Sequence, residues 1–235
     1  MPRRRRPLVA VVAVALSAGV VAGCTAGKSS ATAPASPAAV TATGTSTASA
    51  TALRAAALRV TAGLRSYAFL STQRVSGGGQ VTAATVSGVV VTPAAIDYTV
   101  TLGGRHEEVI RVGSATFLRA LPGPWQRLRH PPVAPDPLSA LLRILTDLTR
   151  LTAATGGSGS VTLTGQLSPS AARAAGLIPR VGGAALPVTV TLDAAHHVTT
   201  LSVRVPVRAG SQTLIVTQMT RFTSFDRVPP IRSPI

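Results

Sequence analysis

Residues 96–102 alternate between apolar and polar side chains with a period of two and run into a turn. Ile96, Tyr98, Val100 and Leu102 alternate with Asp97, Thr99 and Thr101, and Gly103 Gly104 then leads into a second run, Arg105 to Val112. That pattern predicts a hairpin with a tight two-residue turn. It recurs along the chain. Val188, Val190 and Leu192 alternate with threonine and aspartate, and Leu201, Val203, Val205 and Val207 follow after a turn at 194–197. Further strands are expected at Tyr67 to Val75, Val81 to Val91, Ala115 to Leu121, Ser160 to Leu167 and Gln212 to Arg221. About nine strands joined mostly by short turns cannot form parallel crossovers, which need long connections, so the expected sheet is an antiparallel meander with one covered face.

Three segments change to helical spacing. Leu53, Ala57, Val60 and Leu64 place one amphipathic helix at 52–65, with Arg54, Thr61 and Arg65 turned elsewhere. Asp136 Pro137 supplies a cap and a first-turn proline for a second helix, with Leu138, Leu141, Leu142, Leu145, Leu148 and Leu151 on one face. Ser168 Pro169 opens a short third helix that stops at Gly176. Helices covering a meander make the class α+β. Only seven of the 235 residues are aromatic, so the interior must be lined by smaller aliphatic side chains, which suits either an open pocket or a compact core of Val, Leu and Ala.

The N-terminus addresses location. Arg3 to Arg6 precede an apolar run from Leu8, and Val21 Ala22 Gly23 lead to Cys24, the one cysteine of the chain. Leu8 to Gly23 is 16 residues, short of the roughly 20 needed to span hydrocarbon, so a secretory signal is expected at 1–23 rather than a membrane anchor. Val21, Ala22, Gly23 and Cys24 resemble the lipobox of bacterial lipoproteins, in which the cysteine is acylated and becomes the first residue. The competing reading, an ordinary cleavage site beside a cysteine by chance, is weakened because no other cysteine occurs. Thr25 to Thr51 is almost wholly Ala, Ser, Thr, Pro and Gly, so residues 24–51 are expected to be a lipidated flexible tether with a reach of roughly 25 to 30 Å, leaving 52–235 as the folded domain.

Catalytic signals are weak. Glu107 and Glu108 are adjacent on a predicted strand and so face opposite sides, which bars them from acting together as acid and base. His196 and His197 fall in a turn with Asp193 as the only neighbouring ligand type, too few for a metal site. Ser158 to Ser160 lacks the lysine and spacing of a phosphate-binding loop, and no Gly-x-Ser-x-Gly elbow occurs. No catalytic residue, metal or cofactor is expected. Without Arg3 to Arg6 the chain keeps 19 basic against 7 acidic residues, a balance that favours anionic head groups beside a bilayer and does not by itself indicate nucleic acid.

Taken in order, lipobox, tether, Ala/Leu helix, Ser66 Tyr67 opening a strand series, Thr116 to Trp125, an Asp-Pro helix, paired strands and a proline-ended tail resemble the actinobacterial lipoproteins of the LppX/LprG type over most of residues 50–230. The sharpest local piece is Ala115 to Trp125. The resemblance implies a strongly curved antiparallel sheet, a LolA-like half-barrel, with helices on its concave side and an apolar cavity for acyl chains of envelope lipids. It implies cavity lining by Ile96, Tyr98, Val100, Leu102, Phe117, Trp125, Leu138, Leu141, Leu142 and Leu145, with acylated Cys24 holding the protein to the outer side of the cell membrane. The ligand would be an envelope phospholipid or glycolipid and a membrane transporter an expected partner. Two other readings compete: a solid-core envelope interaction module that recruits a protein or polysaccharide, and a hydrolase with an unrecognised site.

Overall fold

The computed structural model describes residues 44–45, 47–77, 80–92, 95–129, 137–177, 184–209 and 212–235. The lipobox residues Val21, Ala22 and Gly23, Cys24, most of the tether and Asp136 lie outside them. Twelve strands form one antiparallel sheet that is curved and not closed into a barrel. In chain order they are β1 (Gly44–Thr45), β2 (Ser66–Gly77), β3 (Gln80–Val91), β4 (Ala95–Leu102), β5 (Arg105–Val112), β6 (Ala115–Ala120), β7 (Gln126–Arg127), β8 (Thr149–Thr155), β9 (Val161–Leu167), β10 (Leu186–Leu192), β11 (Val198–Ala209) and β12 (Gln212–Thr223). Across the sheet the order is β1-β8-β9-β10-β11-β12-β2-β3-β4-β5-β6-β7. Except for β12 beside β2 and β1 beside β8, every neighbour in space is the neighbour in sequence, as the short turns predict.

Helices α1 (Thr47–Ala62), α2 (Pro137–Asp147) and α3 (Pro169–Ala174) lie on the concave side, with α1 against α2 and β8, and α2 against α3. The last of these is held by local chemistry. The Ser168 hydroxyl accepts from the Ala171 amide, Pro169 occupies the first turn, and Gly176 leaves α3 at φ +72°, a conformation glycine takes without penalty. The β4–β5 turn uses Gly103 and Gly104 at φ +55° and +78°, the mirror-image turn that matches strand twist.

Two helix boundaries differ from expectation. α1 begins at Thr47, inside the stretch read as tether, and buries Ala50, Ala57 and Thr61, so Thr61 belongs to the packed face after all. α2 ends at Asp147, and Leu148 and Leu151 leave the helical face to which their spacing assigned them. Thr149 to Thr155 instead pairs with β9. β-branched threonines and the alternation of buried Leu151 and Ala153 with exposed neighbours favour the strand, and Arg150 at φ +50° sits where the register shifts. The freed Leu148 carbonyl accepts a 3.0 Å hydrogen bond from Arg54 of α1, and the Leu148 side chain lies over Gly165, where a Cβ would fall 2.7 Å from Leu148 Cγ.

The core lies under one half of the sheet. Leu163 and Leu167 of β9, Val188, Val190 and Leu192 of β10, and Val203 of β11 are at most 1% exposed, and they pack with Leu141, Ile144 and Leu145 of α2. Three of the few aromatics meet beside them: the Tyr67 ring lies 6.4 Å from Phe69 and 5.9 Å from Phe222. Aliphatic filling of that half stabilises the fold by roughly 25 cal/mol per Å² of apolar surface removed from water.

Candidate functional site

Strand register sorts the other half of the sheet into faces. Phe222 of β12 is opposite Phe69, Phe69 opposite Gly88, Gly88 opposite Tyr98, Tyr98 opposite Val109, and Val109 opposite Leu118. Directly paired residues point to the same side, so these residues form one row on the concave face. The row is apolar throughout and its burial falls along it. Phe222 and Phe69 are 4% and 7% exposed and belong to the core; Tyr98 is half-buried against it; Val109 and Leu118 are half-buried and stand outside it. Gln126 of β7, opposite Leu118, is exposed and ends the row. No side chain can fill position 88, because a Cβ there would fall 2.5 Å from Tyr98 Cβ.

A parallel row carries Ser71, Val86, Val100 and Glu107, and a third carries Tyr67, Val90, Ile96, Arg111 and Thr116. Glu107 and Arg111 therefore flank the apolar row on its own face, and among the described residues neither side chain makes an ion pair. Burial pushes the Tyr98 phenol above its ordinary value, with Arg111 opposing the shift and Glu107 adding to it. Tyr98 thus stays a neutral donor and acceptor at the edge of the apolar surface.

The sequence-derived candidates divide between two faces. Ile96, Tyr98, Val100 and Leu102 share the concave side, as their spacing predicts; Ile96 and Val100 are 5% exposed, whereas Leu102 at the strand end is 45% exposed. Leu138, Leu141 and Leu145 of α2 are buried in the core cluster, and Leu142 packs against it. Phe117 points the other way. It pairs with Ile110, which pairs with Asp97, and these alternate with Leu118, Val109 and Tyr98, so Phe117 lies on the convex face away from the residues it was grouped with. Trp125 goes with it, since its ring lies 4.6 Å from the guanidinium of Arg119, another convex-face residue. Placing both with the cavity on the strength of the Ala115 to Trp125 segment overlooked the alternation of β6, where Phe117 and Leu118 face opposite sides. Val109, Leu118 and Val86 were missed, because they join this face only through the registers β3–β4, β4–β5 and β5–β6.

The convex face has its own polar group. Arg119 bonds Glu108 through Nε at 2.8 Å and through a second, shorter contact from Nη2. Burial raises the Asp97 carboxyl above its ordinary value, Glu108 adds to the rise and Arg119 opposes it. At one corner, Ser114, Arg127, Leu128 and Arg129 line a surface depression of about 450 Å³. In the β10–β11 turn, Asp193 accepts from the Ala195 and His197 amides and contacts His197 Nδ1 at 3.1 Å, while the His197 ring stacks on Phe225 at 4.5 Å. Among the described residues no three His, Cys, Asp or Glu side chains converge as a metal site, and no helix is long and apolar enough to cross a membrane.

No protein-family model matches the chain, and no curated protein matches it. The fold is nevertheless matched by solved structures. The Mycobacterium tuberculosis lipoprotein LppX is similar at TM-score 0.52 and 19% identity, over 80% of this chain and 100% of that one. LprF from Mycobacterium bovis is similar at TM-score 0.53 and 12% identity, over 80% of this chain and 98% of that one. The likeness to LppX-type lipoproteins read from the sequence therefore holds at the level of the fold, and the curved, helix-covered antiparallel sheet is a fold that LppX and LprF share.

Proposed function

We propose that this chain is a membrane-anchored lipoprotein that shelters the acyl chains of an envelope phospholipid or glycolipid against the concave face of its sheet, for carriage or presentation and without catalysis. The observation that carries the reading is the row Phe222, Phe69, Tyr98, Val109 and Leu118, an apolar stripe that starts in the core and emerges half-buried over β4, β5 and β6. Long acyl chains need such a surface and little else. Each CH₂ taken from water contributes about 0.8 kcal/mol, so two chains give tight binding without a paired polar contact. Tyr98, Glu107 and Arg111 border the stripe and supply hydrogen bonds to the glycerol, sugar or ester part of a ligand. Val86 and Val100, in the row that ends at Glu107, widen the stripe on that side.

The shared fold with a protein named as a lipoprotein supports an anchor through acylated Cys24 at the extracytoplasmic face of the membrane. α1 begins at Thr47, which leaves about twenty residues between Cys24 and the fold, enough to let the stripe face the bilayer. A membrane transporter that loads or unloads the ligand fits the same placement.

Uptake of a fluorescent fatty acid by the wild type and by Val109→Asp and Leu118→Glu tests the reading. A charge set on the stripe removes contact with several CH₂ groups, so affinity should fall by about tenfold or more while the melting temperature stays near that of the wild type. Unchanged uptake by both variants would contradict it.

A further inference from the structure

The depression lined by Ser114, Arg127, Leu128 and Arg129 is separate from the apolar stripe and has a chemistry of its own. Ser114 sits in the turn between β5 and β6, beside Gly113 at φ +58°, and Arg127 and Arg129 follow on β7 and just beyond it. The segment is fixed in place: Arg127 pairs with Phe117 across the β6–β7 ladder, and the Leu128 amide donates to the Thr116 carbonyl at 2.9 Å. Two arginines thus line one depression on a braced backbone.

Among the described residues neither arginine is paired with a carboxylate. The nearest carboxylate on that face by register, Glu108, is taken by Arg119. Asp193 and Asp226 are occupied by backbone amides elsewhere, and among the described residues neither Arg127 nor Arg129 forms an ion pair. Like charges sharing a depression repel each other, and an anion between them removes that cost. Planar guanidinium forks match the oxygens of a tetrahedral oxyanion two at a time, and a serine hydroxyl adds a further donor.

We propose that Ser114, Arg127 and Arg129 form a binding site for a phosphate group, presented either on a lipid head group or as free phosphate. The depression, at about 450 Å³, has room for a phosphate together with the group that bears it.

The test is calorimetric titration of the full chain, held in a neutral detergent, with inorganic phosphate and with dihexanoyl phosphatidylglycerol below its micelle concentration, at constant ionic strength. Wild type is compared with Arg127→Gln/Arg129→Gln and with Ser114→Ala. Both positions are exposed, so the double variant should keep the wild-type melting temperature. Binding weakened tenfold or more in the double variant, and less in Ser114→Ala, is the expected result. Tighter binding of the short-chain lipid than of phosphate, lost in the same variant, identifies a head group; equal binding of the two, lost in the same variant, identifies free phosphate. Wild-type protein that binds neither, or a double variant that binds both as tightly as the wild type, would overturn the proposal. Fatty-acid uptake depends on Val109 and Leu118 and not on these arginines, so failure of one site leaves the other to be judged by its own variants.

Discussion

Arg119 joins two parts of the convex face: its guanidinium bonds the Glu108 carboxylate on the neighbouring strand and lies 4.6 Å from the centre of the Trp125 ring. The β6–β7 connection, 121–125, is thereby pinned to the sheet. Glu108 and Arg119 are both partly exposed, so the ion pair itself contributes little, and the stacked ring and aliphatic stem supply the rest. Arg119→Ala is expected to cost about 1 kcal/mol. Because Trp125 is the sole tryptophan, its fluorescence reports the change directly: emission should shift to longer wavelength as the ring gains solvent. An unshifted spectrum would show that the ring is held by something else.

Gly165 has no room for a side chain. A Cβ there would fall 2.7 Å from Leu148 Cγ and 2.9 Å from the Thr149 carbonyl oxygen, and the second of these is backbone. Gly165→Ala should therefore destabilise the protein by about 2 kcal/mol, in the range for overpacked cores, read as a lower midpoint in urea with an unchanged slope. Gly157, where a Cβ meets nothing within 4 Å, serves as the control position.

Asp226 ties the C-terminal segment to the start of β2. Its Oδ1 accepts from the Arg65 and Ser66 amides at 2.7 and 3.2 Å, and the Val228 amide donates to the Ser66 hydroxyl. Asp226→Ala leaves two amides without this acceptor and should cost about 1 to 2 kcal/mol. Hydrogen exchange at Arg65 and Ser66 should speed up well before exchange in β10, and equal rates at the two places would argue against the tie.

Asp97 makes stability depend on pH in an unusual direction. Burial first, and then Glu108, raise its carboxyl above the ordinary value against the pull of Arg119. Between the unfolded and the raised folded pKa the folded state holds more protons, so stability attributable to this group falls as pH rises through that window. Asp97→Asn removes the effect. The variant should gain stability relative to wild type as pH climbs from acid to neutral, in denaturant titrations at several pH values. A difference that stays flat with pH would show that Asp97 does not titrate in that way.

The strands were largely legible because period-two alternation and turn residues are local signals: Gly103 Gly104 marks its hairpin, and Ser168 Pro169 its helix. The failures came where two patterns overlap. Leu148 and Leu151 continue the helical spacing of Leu138 to Leu145, but the threonines around them and the close seat of Leu148 on Gly165 draw the segment into the sheet. The two-residue strands β1 and β7 are too short to show any period. For the stripe, one strand suffices to identify Tyr98, yet Val109 and Leu118 join it only through the registers β4–β5 and β5–β6, and Phe117 leaves it for the same reason. Side-chain type alone does not separate Phe117 from Leu118; their parity along the strand does.

The central claim, acyl-chain binding on the concave face, is tested most directly by native mass spectrometry with organic extraction of residues 44–235, expressed without the cysteine in a host that has a comparable envelope. The account predicts a stoichiometric lipid with acyl chains, released on denaturation and lost in Leu118→Glu. Lipid-free protein that also takes up no fatty acid would contradict it.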